Sequence, residues 1–177
     1  MEALKTLKNM SIRQMLLQSL NFLLVLSSAF MFWKGLGLYH NTESPIVVVL
    51  SGSMEPAFYK GDILFLSNPK QVPIEIGDIT VFKVEGRDIP IVHRVIRVHR
   101  EAETNKQYLL TKGDNNEIHD RGLYNPGQMW VDKDDVVGRV KGYVPYVGMV
   151  TILLNEYPQV KFAVLGLMGI MIILSKE

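Results

Sequence analysis

The chain has 177 residues, 47% of them hydrophobic and 21% charged, which suits one domain that buries a core. A formal net charge of +1 offers no basic field, and no arginine-rich or aromatic-interleaved patch accompanies it, so nucleic acid is not an expected partner. With no cysteine, the chain has no disulfide framework, thiolate nucleophile or cysteine-ligated zinc, although this does not reveal its redox compartment.

Gln14 to Trp33 form 20 consecutive uncharged residues rich in Leu, Phe, Val and Met, the length that a helix needs to cross a bilayer. Gln18, Ser19, Asn21, Ser27 and Ser28 interrupt the run, as a buried soluble helix would also allow. Its N-terminal position and basic flank favour the membrane, with those polar side chains expected to face protein. Lys5, Lys8 and Arg13 precede it against a single Glu2, and a Lys/Arg excess marks the cytoplasmic side, so the body of the protein is expected across the membrane. Ser27-Ser28-Ala29 supplies the small residues of a signal-peptide cleavage site. The uncharged run is nevertheless longer than a usual signal-peptide core, which favours an uncleaved anchor. Asn9-Met10-Ser11 is a formal glycosylation sequon that this topology leaves in the cytosol and bare.

From Ile46 to about Val144, short β-branched and aromatic runs alternate with Gly, Pro, Asn and Asp, the pattern of strands and turns. Strands are expected at Ile46 to Leu50, Asp62 to Ser67, Asp78 to Glu85, Ile89 to Arg100, Gln107 to Lys112 and Val136 to Val144. Asn68-Pro69-Lys70, Glu85 to Asp88 and Glu101 to Lys106 read as turns, while Gly113 to Gln128 is a loop long enough to suggest function. Two uncharged stretches of 14 residues follow, Gly142 to Asn155 and Phe162 to Ser175. As a helix the second would be about 21 Å long against a hydrocarbon core of about 30 Å, so it is expected in the interface, partway into the bilayer or docked on another subunit rather than across the membrane. The expected architecture is mainly β: residues 1–13 outside the membrane, an anchor at 14–33, a β-rich domain at 34–155 and a short apolar C-terminal helix at 156–177.

Ser53, in Ser51-Gly52-Ser53-Met54-Glu55-Pro56, follows a glycine that permits a sharp turn and close approach, and Pro56 prevents a helix from starting at once. Such a serine is a nucleophile only if a base takes its proton; otherwise Ser51 and Ser53 serve as turn hydrogen-bonders. His93 lies in Ile89-Pro90-Ile91-Val92-His93-Arg94-Val95-Ile96, where period-two alternation puts Ile91, His93 and Val95 on one face. Apolar surroundings there would keep the imidazole available as a base, or would simply enclose a structural histidine. His40 and His99 read as surface residues, and His119, beside Asp120, as a rival base. The loop Lys112 to Gly122 carries Asp114 and Asp120, either of which could orient a histidine. Each also has a structural alternative, Asp114 in an Asx turn and Asp120 paired with Arg121. Asp114, His119 and Asp120 match no defined metal-ligand spacing, so neither a metal nor a cofactor is expected. Lys112 keeps a Ser-Lys mechanism open, although the carboxylate of Asp114 nearby favours its charged, non-basic form.

These residues together resemble the signal peptidase I family, in its endoplasmic-reticulum branch of complex catalytic subunits. The resemblance runs through Ser44 to Pro56, Gly61-Asp62, Ile89 to Val95, Thr111 to Asn116 and Asp120-Arg121-Gly122, and so covers nearly the whole chain. Bacterial members carry a lysine base where this chain has His93, which aligns it with the endoplasmic-reticulum and archaeal branch and disfavours Lys112. The resemblance implies a signal-peptidase-like β-rich catalytic domain with Ser53 as nucleophile, His93 as general base and Asp120 as the third member, supported by Asp114. Ser51 and the Ser53 amide are the implied oxyanion donors.

The implied reaction is hydrolysis of nascent secretory and membrane precursors after small-x-small residues, at the lumenal face of the endoplasmic-reticulum membrane. The implied partners are those precursors, further membrane subunits of a complex and the lipid bilayer. The competing reading from another class is a membrane-anchored module that binds signal peptides without cutting them.

Overall fold

The computed structural model describes residues 11–69, 71–102 and 106–174. Glu2, Lys5, Lys8 and the Asn9 sequon lie outside the described residues, as do Lys70, residues 103–105 of an expected turn and residues 175–177 of the tail. The chain divides into two units, Met1–Tyr39 and His40–Glu177.

In the first unit the apolar run becomes helix α1, Ile12–His40, whose 29 residues give about 44 Å of length, enough to cross a bilayer. Ser11 and Gln14 form a reciprocal capping box: Gln14 N–H donates to Ser11 Oγ at 3.3 Å, and Ser11 N–H donates to Gln14 Oε1 at 3.0 Å. Ser27 and Ser28 donate their hydroxyls to the carbonyls of Leu24 and Val25, at 3.0 and 2.8 Å. These two hydroxyls are therefore satisfied within the helix in an apolar medium. The helix runs seven residues past Trp33, through Lys34, and stops where Asn41 takes a left-handed φ of 50°.

Among the described residues the second unit is built on one antiparallel sheet of seven strands. They are β1 (Ile46–Val48), β2 (Ile63–Ser67), β3 (Ile79–Phe82), β4 (Ile91–Arg100), β5 (Gln107–Lys112), β6 (Val131–Asp132) and β7 (Val136–Val144). Their order across the sheet is β1-β2-β7-β3-β4-β5-β6, so the last strand of the chain lies between β2 and β3 and joins them. The mainly β architecture agrees with the sequence pattern, and β5 and β7 match it end for end. The two-residue β6 is too short to leave a periodic signature.

Apolar residues pack into two clusters. One holds Phe82, Val95, Leu109, Leu110, Tyr124 and Val136, the other Met54, Phe58, Leu64, Leu66 and Val81. Tyr124 brings the long loop after β5 into the first, its ring meeting the edge of Phe82 with centroids 6.1 Å apart. The apolar tail forms two helices rather than one, α2 (Met149–Glu156) and α3 (Pro158–Leu174). Pro158 suits a first helical position, where its missing N–H costs nothing. The 17 residues of α3 measure about 26 Å, still short of a hydrocarbon core of about 30 Å. Ahead of α2, Gly148 sits so tightly on β1 that an added Cβ would fall 2.6 Å from Val48 Cγ1.

The loop after β5 is held to the sheet a second time. Arg94 Nε and Nη2 on β4 donate to Asp114 Oδ1 and Oδ2 at 2.8 and 2.6 Å, a bidentate pair, and Arg94 Nη1 donates to the Gly77 carbonyl at 3.0 Å. Asp114 is therefore an ion-pair partner rather than an Asx-turn cap. Its hydrogen bonds from Arg94 hold its carboxyl below the usual aspartate range, against the opposing effect of partial burial. A depressed carboxyl contributes stability that is present above the unfolded-state value and lost as pH falls through the folded one. Asp114→Asn is expected to lower the thermal midpoint of the full chain in detergent at pH 7 by about 3 °C, or about 1 kcal/mol once partial exposure is discounted. The deficit should shrink as pH is lowered below about 4. Equal deficits at pH 7 and pH 3 would remove the ion pair as their cause.

Candidate active site

Ser53 lies in the connection from β1 to β2, which the chain folds into a tight knot. Glu55 N–H donates to the Gly52 carbonyl at 3.2 Å and Phe58 N–H to the Met54 carbonyl at 3.0 Å, while Met54 and Phe58 bury their side chains in the second apolar cluster. Burial of the residue next to Ser53 fixes the backbone and leaves the Ser53 side chain half-buried at the surface of the knot. The loop after β5 grips the knot from the other side. Asn115 N–H donates to the Ser53 carbonyl at 2.9 Å and its side-chain amide to the Gly52 carbonyl at 3.1 Å. Gly113 makes this approach possible, because a Cβ there would lie 2.7 Å from the Ser53 carbonyl oxygen.

His93 is 3% exposed on β4, on the face that its alternation with Val95 predicts. Its Nε2 is 3.0 Å from Ser53 Oγ and its Nδ1 is 2.5 Å from Asp120 Oδ2. Asp120 begins a short 3-10 turn, Asp120–Gly122, and is 2% exposed. An ionised carboxylate only accepts hydrogen bonds, so this arrangement assigns the imidazole proton to Nδ1 and leaves Nε2 to accept the hydroxyl proton of Ser53. Ser51 is exposed, with Oγ 3.3 Å from Ser53 Oγ. Residues 40 and 67 positions apart in the chain thus meet in one unbroken series of side-chain contacts, Ser53 to His93 to Asp120.

The other candidates lie elsewhere. His119 precedes the turn exposed, while His99 lies near Tyr108 and Trp130, with ring centroids 6.5 and 6.1 Å away. Arg121 sits over the Trp130 ring at 5.6 Å instead of pairing with Asp120. Asp114, His119 and Asp120 do not gather as metal ligands, and among the described residues no cluster of three such side chains does. Lys112 pairs with Arg94 across β4 and β5, which puts it on the face opposite to its neighbour Thr111 and to His93. Its ammonium is 3.4 Å from the Gly113 carbonyl.

Two residues of the site escape a reading of the sequence. Thr111 Oγ1 donates to Asp120 Oδ2 at 2.7 Å, and Tyr124 Oη lies 2.8 Å from Thr111 Oγ1 while accepting the Thr111 N–H at 3.0 Å. Burial pushes the Tyr124 phenol above its ordinary value, so it stays protonated and able to donate. Thr111 shares strand parity with Leu109, which signals burial, but a lone threonine in an apolar strand announces no partner. The phenol of Tyr124 lies in a polar loop, where nothing predicts its return to the core.

The Peptidase S24-like family matches residues 24–140, and the signal peptidase C-terminal short helix family matches residues 149–174. The chain is 60% identical to the signal peptidase complex catalytic subunit SEC11C of Homo sapiens, over 97% of this chain and 88% of that protein. It is 53% identical to the signal peptidase complex catalytic subunit SEC11 of Schizophyllum commune, over 99% and 98%, and 49% identical to its namesake in Dictyostelium discoideum, over 90% and 88%. The resemblance read from the motifs holds along nearly the entire chain, which belongs to the family of signal peptidase complex catalytic subunits.

Proposed function

We propose that this chain is a membrane-bound serine endopeptidase that removes signal peptides, with Ser53 as nucleophile, His93 as general base and Asp120 as the carboxylate that orients and stabilises the imidazole. The observation that carries the assignment is the continuous contact from Ser53 Oγ through His93 to Asp120, at 3.0 and 2.5 Å. In the first step Ser53 Oγ bonds to the scissile carbonyl carbon while its proton passes to His93 Nε2, and the carbonyl π electrons move onto oxygen. The Ser53 amide and the Ser51 hydroxyl are the proposed donors to that oxyanion, each worth about 3 kcal/mol in such a position. Collapse breaks the C–N bond, and His93 gives its proton to the departing amine. Water then attacks the acyl ester with His93 again as base, releasing the signal peptide's new carboxylate and returning the proton to Ser53.

Its substrates are proposed to be nascent secretory and membrane precursors, cut after small-x-small residues at the lumenal face of the endoplasmic-reticulum membrane. On this reading α1 is the anchor, with the N-terminus cytosolic, and further membrane subunits of a complex are its partners. Confinement of enzyme and precursor to one bilayer raises the effective concentration of each for the other. A Ser-Lys dyad through Lys112 is less well supported, because β4–β5 pairing directs that side chain away from the face of His93.

In microsomes where this chain is the sole catalytic subunit, Ser53→Ala is expected to abolish cleavage of a secretory precursor, with a loss of at least about 10⁴-fold, at equal assembly. Undiminished cleavage would make the chain a binding or scaffolding subunit. In the same assay His93→Ala should fall by a comparable factor while Lys112→Ala retains most activity; the reverse ranking would establish the dyad. Protease added outside sealed microsomes should leave residues 40–156 intact, whereas digestion of that segment without detergent would invert the topology.

A further inference from the structure

We propose that Thr111 and Tyr124 are positioning residues that hold Asp120 against His93 in this reaction. The inference rests on the reading of Asp120 as the orienting carboxylate and adds what orients Asp120 itself. Asp120 stands on a three-residue turn at the end of an exposed loop segment, a poor support for a group whose placement must be kept within a fraction of an ångström. Strand β5 supplies a rigid one. Thr111 is fully buried there, and Val95, two positions along β4 from His93 and on the same face, is its cross-strand partner.

The polarity of the hydrogen bonds is determined from one end. Ionised Asp120 only accepts, so Thr111 commits its single hydroxyl proton to Oδ2, at 2.7 Å. Thr111 Oγ1 is then an acceptor toward Tyr124, whose phenol donates at 2.8 Å and accepts the Thr111 N–H at 3.0 Å. The Tyr124 ring is locked in the apolar cluster against Phe82, so the series ends on a side chain with no freedom to swing away. Oδ2 therefore accepts two hydrogen bonds, from His93 Nδ1 and from Thr111 Oγ1. The second fixes the carboxylate's position when the first strengthens as His93 becomes charged. Both residues are buried away from the surface, so their loss should act on turnover and leave binding alone.

The test is steady-state cleavage of a signal-peptide-bearing precursor by the assembled complex, with this chain as its catalytic subunit and assembly and thermal midpoint matched across variants. Thr111→Val is expected to lower kcat about ten- to a hundredfold at unchanged KM, the range for a lost hydrogen bond to a buried charge, and Thr111→Ser should restore kcat to within a few-fold of the wild type. Tyr124→Phe should lower kcat about three- to tenfold at unchanged KM, and it carries the test alone if Thr111→Val does not assemble. In an Asp120→Asn background Thr111→Val should add little further loss. Wild-type kcat in both Thr111→Val and Tyr124→Phe, no rescue by serine, or the full Thr111→Val loss persisting beside Asp120→Asn would each overturn the proposal. Ser53→Ala in the same assay separates the two levels. If it still cleaves, the active-site reading itself fails; if it is dead while Thr111→Val is normal, only the positioning role does.

Discussion

A carboxylate placed 2% exposed in a protein costs several kcal/mol unless it is paired, and the arrangement around Asp120 answers that cost. His93 and Thr111 both contact one of its oxygens, and that requirement determines the imidazole tautomer, the direction of the threonine hydroxyl and the role of the tyrosine behind it. The surrounding fold serves the same end. Strand β4 brings His93, β5 brings Thr111, and the loop that carries Asp120 is pinned to the sheet at Asp114 and at Tyr124.

Much of this was legible beforehand because the strongest signals were local. The alternation around His93 identified its face correctly, since a strand's period of two survives any tertiary context that buries one side. The flexibility of Ser51-Gly52-Ser53 pointed to a turn, and the uncharged N-terminal run to a long helix. What could not be read was pairing across space. The sequence around Asp114 leaves it open between orienting a histidine and capping an Asx turn, because its partner Arg94 is 20 positions away on β4. Thr111 and Tyr124 carry no motif, and their function depends on a register between β4 and β5 that no single segment encodes. The continuation of α1 beyond Trp33 went unseen for the opposite reason: the count of uncharged residues ends at Lys34, but a helix tolerates a lysine and ends where the backbone does, at Asn41.

The proposed nucleophile and base belong to different halves of the sheet. Ser53 lies between β1 and β2, and His93 and Asp120 are carried by β4 and the segment after β5. The halves touch directly where Asn115 and Gly113 meet the Ser53 carbonyl, a contact that leaves no room for a side chain between them. This close backbone approach transmits the position of the acid-bearing loop to the serine, so the geometry of three side chains is held by main-chain hydrogen bonds rather than by the side chains alone.

Strand β7 has a consequence for how such an enzyme is made. It is the last strand to be synthesised, yet it lies inside the sheet and is the strand that hydrogen-bonds β2 on one side and β3 on the other. A nascent chain that has emerged only as far as Asp120 already contains all three residues of the site but lacks the strand that joins their two supports. The chain is thus synthesised in an order that leaves the two supports of the candidate site unjoined by the sheet until Val136–Val144 is in place.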